Sequence, residues 1–128
     1  MSRPLLLDLY CKAGGAAMGY YQAGFDVVGV DIEPQPRYPF AFVQADALQL
    51  LHNLNGHGLI TIREPEAQRG VYSLGDFAAI HASPPCQGYS IMNNLSWIRK
   101  REYPLLILPT RIMLNETGLP YVIENVAG

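Results

Sequence analysis

One of the two cysteines in the chain, Cys86, lies in the stretch "ASPPCQGYS", behind paired prolines and ahead of Gln87. Prolines stiffen the backbone and remove amide donors, so this setting holds a thiol still rather than packing it into a core. Near neutral pH roughly a few per cent of an ordinary cysteine is already thiolate, and sulfur is intrinsically nucleophilic. Cys86 is therefore a candidate for covalent attack on an electrophilic carbon. Farther along, "YVIENV" ends an apolar run on Glu124 and Asn125. A carboxyl group in a desolvated pocket favours its protonated form and can share or donate that proton. The other cysteine, Cys11, reads as a small buried residue of a turn.

Such side chains need elements to position them. "PLLLDLY" is a short apolar run that gives way to "CKAGGAAMGYYQAGF", a pattern of strand, glycine turn and helix with Gly24 at the helix end. "DVVGVDI" is a second strand ending in acidic residues, and the proline-rich "PQPRYPF" leads into a third, "AFVQAD". "ALQLLHNL" continues as a helix. Residues 55 to 75 read as an irregular excursion or a small hairpin through "GLITIRE" and "GVYSLG". "DFAAIHAS" is a fourth strand before the Cys86 loop. A broadly helical region follows Trp97 to Glu116, where Pro104 and Pro109 must start, kink or break the helix. "GLPYVIENV" supplies a turn and a fifth strand.

Near-continuous apolar strands alternating with helices predict an α/β fold with a parallel sheet covered on both faces. Right-handed crossovers place the strand ends on one rim, where open α/β sheets bind ligands. On that rim the sequence sets Asp8 with Gly14 and Gly15, then Asp31 with Glu33, then Asp46, then Cys86, then Glu124 with Asn125. A glycine turn opening a helix suits close approach of a nucleotide-like ligand, and an acidic residue after the second strand suits a pair of ribose hydroxyls. Asp46 can accept from an adenine amino group, cap the helix that follows, or do both. Met18 and Tyr21 on the first helix read most simply as core. His52, His57 and His81 have no partner spacing and read as structural or exposed.

At 128 residues and 49% apolar content the chain can bury one core, and 16% charged residues argues against disorder. Two distant cysteines with no zinc-type spacing give neither a disulfide framework nor a metal site. Reduced thiols in a cytoplasmic setting are the default. The first apolar run reaches Asp8 too soon for a signal peptide or a membrane span. A net charge of −2 gives no global pull on nucleic acid, although Arg99, Lys100 and Arg101 form a local basic run that is either a solvated helix start or a phosphate contact.

"LDLYCKAGG", "VVGVDIEP", "QADA", "SPPCQGYS" and "YVIENV" resemble, in that order, the cofactor loop, acidic strand end, adenine contact, Pro-Cys nucleophile motif and Glu-Asn-Val motif of the C5-cytosine DNA methyltransferases, most closely the compact phage-type members. The resemblance covers nearly the whole chain except residues 55 to 75. It implies a Rossmann-like methyltransferase fold that binds S-adenosylmethionine through Asp8, Tyr10, Gly14, Gly15, Asp31, Glu33 and Asp46. It also implies that Cys86 attacks carbon 6 of a flipped cytosine while Glu124 stabilises the ring, so that carbon 5 accepts the methyl group. Pro85 then lines the cytosine pocket, Gln87 and Ser90 lie on a loop that meets DNA, and Asn125 braces the Cys86 loop. A bacterial or phage-infected cytoplasm is the implied setting.

Two departures stand against that pattern. Lys12 occupies a position where the family commonly has glycine; its side chain obstructs the ligand, forces another backbone path, or reaches the cofactor's carboxylate. The sequence also stops before the family's later arginine-bearing motif and target-recognition region, so residues 1 to 128 read as a C-terminally truncated, partial catalytic domain. Its expected partners are DNA and a possible complementing polypeptide. The alternative is a non-catalytic module that keeps the cofactor pocket or docks on a partner. A nucleotide-binding reductase is a weaker third reading, because the glycine signature is incomplete.

Overall fold

Alternation along the first apolar run decides where each side chain goes. In β1 (Leu5–Leu9), Leu7 and Leu9 enter the main core while Leu6 enters a second, smaller one on the opposite face. β2 (Asp26–Asp31) repeats the division, with Val28 and Val30 on the first side and Val27 on the second. The register sets Leu6 beside Val27 and Leu7 beside Val28, so like faces meet. The computed structural model describes residues 3–62, 70–84 and 106–124.

Three further strands complete the main sheet: β3 (Ala41–Gln44), β6 (Ala79–Ala82) and β7 (Tyr121–Ile123). The order is β3-β2-β1-β6-β7, every neighbouring pair parallel. The chain builds outward from β1 to β3, then returns to the other side of β1, so the direction of growth reverses between β1 and β6. At such a switch point an open α/β sheet leaves a crevice beyond its strand ends. β4 (Ile60–Thr61) and β5 (Val71–Tyr72) form a separate antiparallel pair, the small hairpin anticipated within residues 55 to 75.

α1 (Gly15–Gln22) covers one face, and α2 (Ala47–Asn55) packs with α3 (Ile107–Thr117) on the other. α2 buries Ala47, Leu50, Leu51 and Leu54, a spacing that places one stripe against the sheet. α3 holds Pro109 in its first turn, where the missing amide breaks no helical hydrogen bond, and ends at Gly118 with φ 72°. α1 closes with Gly24 in the left-handed region, its N–H donating to the Tyr21 carbonyl while the Phe25 N–H donates to that of Tyr20. The Arg3 guanidinium donates to the carbonyls of Tyr21 and Phe25 and pairs with Asp26 at 3.2 Å, which fastens this helix end to the start of β2.

One expectation about the core is corrected. Met18 and Tyr21 are 41% and 42% exposed. α1 is only eight residues long and rests on the sheet through Ala17 and Tyr20, so positions 18 and 21 fall outside that contact stripe. Cys11 is buried, as anticipated, and burial pushes its thiol pKa upward, with the carboxylates of Asp8 and Asp31 adding to the effect.

Candidate active site

Leaving β1, the chain takes left-handed backbone at Tyr10 (φ 56°), Lys12 (φ 50°) and Gly14 (φ 101°). Two hydrogen bonds clasp this loop to the end of β2. The Cys11 N–H donates to the Val30 carbonyl at 3.0 Å, and the Lys12 N–H donates to Asp31 Oδ2 at 3.0 Å. Asp31 Oδ1 accepts from the Glu33 N–H at 3.0 Å, so one half-buried carboxylate organises both the glycine loop and the exit from β2. Each oxygen retains a lone pair for a ligand hydroxyl. Glu33 is exposed.

Gly14 precedes α1 as its N-cap, and a Cβ there would lie 3.1 Å from Pro39 and 3.2 Å from the Tyr38 ring. Among the described residues, no heavy atom outside its chain neighbours and its own helix backbone lies within 4 Å of the corresponding position at Gly15. Amide N–H groups at a helix start favour an anion. The Lys12 ammonium nitrogen is buried without a hydrogen-bond partner among the described residues. Its backbone keeps a conformation that glycine reaches freely and other residues adopt at a cost of roughly 1–2 kcal/mol.

Tyr10 packs against the main core, and its hydroxyl meets Thr110 Oγ1 on α3 at 2.9 Å. Asp46 is exposed and caps α2, accepting from the Leu48 N–H at 3.0 Å; a groove beside it is lined by Gln49, Asn53 and Thr61. Asp8 departs from its expected place on the open rim. It lies inside β1, one residue before the strand end, and is 1% exposed. Tyr38 donates to its Oδ2 at 3.2 Å, while Oδ1 has no partner among the described residues. Burial raises the Asp8 pKa to about 7 against the lowering by the Tyr38 hydrogen bond, and Asp31 and Glu124 push it further up.

At the far side of the switch point, Glu124 follows β7 and Ser83 follows β6. The Ser83 hydroxyl donates to Glu124 Oε1 at 3.4 Å, and His81 Nε2 lies 3.4 Å from the same oxygen. His81 is 4% exposed and engaged at both ring nitrogens, Nε2 with Ser83 Oγ at 2.9 Å and Nδ1 with the Tyr20 hydroxyl at 2.8 Å. Burial lowers the His81 pKa, which the Glu124 carboxylate partly offsets. Cys86, Pro85, Gln87, Ser90 and Asn125 lie outside the described residues, as do Arg99, Lys100 and Arg101.

Sequence reasoning set His81 aside, and Tyr20, Tyr38, Gly29 and Ser83 were not singled out. One signal was available: in "AAIHAS" the histidine interrupts apolar residues within a strand, and Asp8 does the same in "LLLDL". The register makes those two residues direct neighbours. Polar side chains at matching depth in adjacent strands mark a polar layer, but the register that brings them together is long-range.

No family model matches the chain. It is 30% identical over 134 residues to the type II methyltransferase M.XorII of Xanthomonas oryzae pv. oryzae (strain KACC10331 / KXO85), an alignment that takes in 100% of this chain and 29% of that protein. The chain thus spans less than a third of the length of the curated relative it matches and is a distant homologue of that part of it. Its five-stranded parallel α/β sheet is consistent with a Rossmann-like methyltransferase fragment. No helix among the described residues is long and apolar enough to cross a membrane.

Proposed function

We propose that this chain is the cofactor- and nucleophile-bearing portion of an enzyme that methylates carbon 5 of cytosine in DNA. The observation that carries the proposal is the position of Glu124, whose carboxylate meets Ser83 at the end of β6, three residues before Cys86 in the sequence. The kinship to a type II methyltransferase supports methyl transfer, the coarser part of this reading.

The residues around α1 fit S-adenosylmethionine. Gly15 leaves room at a helix start, the N–H groups there and the unpartnered Lys12 ammonium suit the cofactor's carboxylate, and Asp31 suits its ribose hydroxyls. Asp46 is assigned to the adenine amino group, and Tyr10, Gly14, Glu33 and Asp8 to the rest of the cofactor site. Bound there, the cofactor supplies an electrophilic methyl group.

The remaining chemistry belongs to side chains of this chain. The Cys86 thiolate forms a bond to carbon 6 of an extruded cytosine, and the displaced π-electron pair moves toward carbon 5. Glu124 holds a proton at ring nitrogen 3 and so stabilises the charge that accumulates there. After methyl transfer, loss of the carbon 5 proton and ejection of the thiolate restore the aromatic ring. On this reading, as the family resemblance implies, Pro85 belongs to the cytosine pocket, Gln87 and Ser90 to a loop that meets DNA, and Asn125 braces the Cys86 loop.

A second reading, a non-catalytic cofactor-binding or partner-docking module, is favoured by Lys12, which holds a left-handed backbone conformation where the resembled family commonly has glycine. One experiment separates the two. The protein is incubated with S-adenosylmethionine and duplex DNA containing 5-fluorocytosine, with and without a complementing polypeptide. A covalent adduct lost in Cys86→Ser supports the enzyme; measurable cofactor affinity with no adduct in either tube supports the module.

A further inference from the structure

The polar chain behind Glu124 has a direction. Tyr20 keeps its proton, since burial raises its pKa, with Asp8 and Glu124 adding to the effect. Burial favours the neutral form of His81, in which only one ring nitrogen carries hydrogen. If that hydrogen were on Nδ1, the bare lone pair of Nε2 would face the Glu124 carboxylate at 3.4 Å, acceptor against acceptor. With hydrogen on Nε2 every contact is complementary. The Tyr20 hydroxyl donates to Nδ1, Nε2–H donates to Ser83 Oγ and toward Glu124 Oε1, and the Ser83 hydroxyl donates to that same oxygen.

Both donors converge on Oε1 and leave Oε2 for other partners. The Glu124 side chain is 56% exposed, whereas His81 and Ser83 are 4% and 8% exposed, so a buried array reaches outward to hold a carboxylate that water could otherwise solvate. Ordering such a side chain opposes its rotamer entropy. The contacts of 3.4 Å are long, as catalytic hydrogen bonds often are before substrate binds.

We propose that Tyr20, His81 and Ser83 form a donor relay that fixes Oε1 of Glu124 as the acceptor oxygen, so that Oε2 is the oxygen turned to the cytosine ring. His81 and Ser83 are thus positioning residues acting through Glu124, a role that rests on the methyltransferase reading above. Among the described residues, the charged and titratable groups facing His81 are Asp8 from β1, its register neighbour, Tyr20 from α1 and Glu124 after β7. Tyr38 in turn faces Asp8.

Two measurements on the whole chain test the relay. The ring nitrogens of His81, followed by nitrogen-15 NMR, report its tautomer and titration whether or not the protein methylates DNA. The relay requires the Nε2–H tautomer and a His81 titration that moves to lower pH in Glu124→Gln, which removes the carboxylate. The Nδ1–H tautomer, or a titration indifferent to that change, overturns it. The second measurement is the rate of adduct formation at saturating 5-fluorocytosine DNA. Ser83→Ala slows it about tenfold with DNA and cofactor affinities unchanged, and Ser83→Thr, which keeps the hydroxyl, restores it. A Ser83→Ala protein that reacts at the wild-type rate overturns the relay. Absence of adduct in the unaltered protein counts against the methyltransferase reading alone, and the NMR result then decides the hydrogen-bond array by itself.

Discussion

Tyr38 stacks its ring over Gly29 and donates its hydroxyl hydrogen to Asp8 Oδ2 at 3.2 Å, joining the proline-rich connection after β2 to the penultimate residue of β1. A Cβ at Gly29 would stand 2.3 Å from Tyr38 Cζ. Gly29→Ala therefore forces the ring off the strand, away from Phe40 and Phe42, which it meets at centroid distances of 5.8 Å. The expected loss is about 1–3 kcal/mol of unfolding free energy, read from urea denaturation.

Asp8 makes stability depend on pH in an uncommon direction. Its folded pKa of about 7 lies above the ordinary carboxylate value of 3.8, so the folded state binds its proton more tightly than the unfolded chain does. The favourable contribution is complete below about pH 4 and disappears as pH rises toward 7. Asp8→Asn, neutral throughout, should flatten that part of the curve and be the more stable protein at pH 8, by at most roughly 4 kcal/mol. Unfolding free energies measured between pH 4 and 8 check the slope and its sign.

Asp31 is expected to matter to the cofactor through the loop as well as by contact. Asp31→Ala removes the acceptor for the Lys12 and Glu33 N–H groups together. Calorimetric titration with S-adenosylmethionine should give an affinity at least about tenfold weaker, with far-ultraviolet circular dichroism unchanged.

Asp46 has two separable jobs. Serine retains an N-cap acceptor for Leu48 but has no carboxylate, whereas alanine has neither. Asp46→Ala should lower stability by about 1 kcal/mol, and Asp46→Ser by much less. Equal weakening of cofactor affinity in both variants would assign the carboxylate to the adenine side; affinity that follows stability would assign it to the helix alone.

The sheet was legible because its signals are local. The apolar runs around Leu7, Val28 and Ile80, the glycine turn at Gly14 and the stripe from Ala47 to Leu54 each announce an element within a dozen residues. Of the alternatives open for Pro109, to start, kink or break a helix, the first is the one found. The polar layer was not legible, because it is made by register: Asp8 neighbours His81 only once β1 and β6 pair, and Glu124 reaches Ser83 only when β7 is added. Asp8 was anticipated on the open rim beside Gly14 and Gly15; it lies inside β1 instead, one residue before the final Leu9, which fills the core. For Met18 and Tyr21 composition misled, since an apolar helix need not be a wide one at its contact.

The central strand meets its two neighbours at very different times. Leu6 pairs with Val27 on one side and with Ala79 on the other, so a growing chain can zip β1 to β2 early while the opposite margin waits until β6 emerges. During that interval Leu7 and Leu9 have no β6 to shelter them, and the half-built ribbon offers a row of unclaimed peptide groups to any passing strand. The yield of correctly folded protein should accordingly depend on how soon β6 arrives: slower elongation between β3 and β6 prolongs the vulnerable state, and chaperones that mask extended segments would act there first.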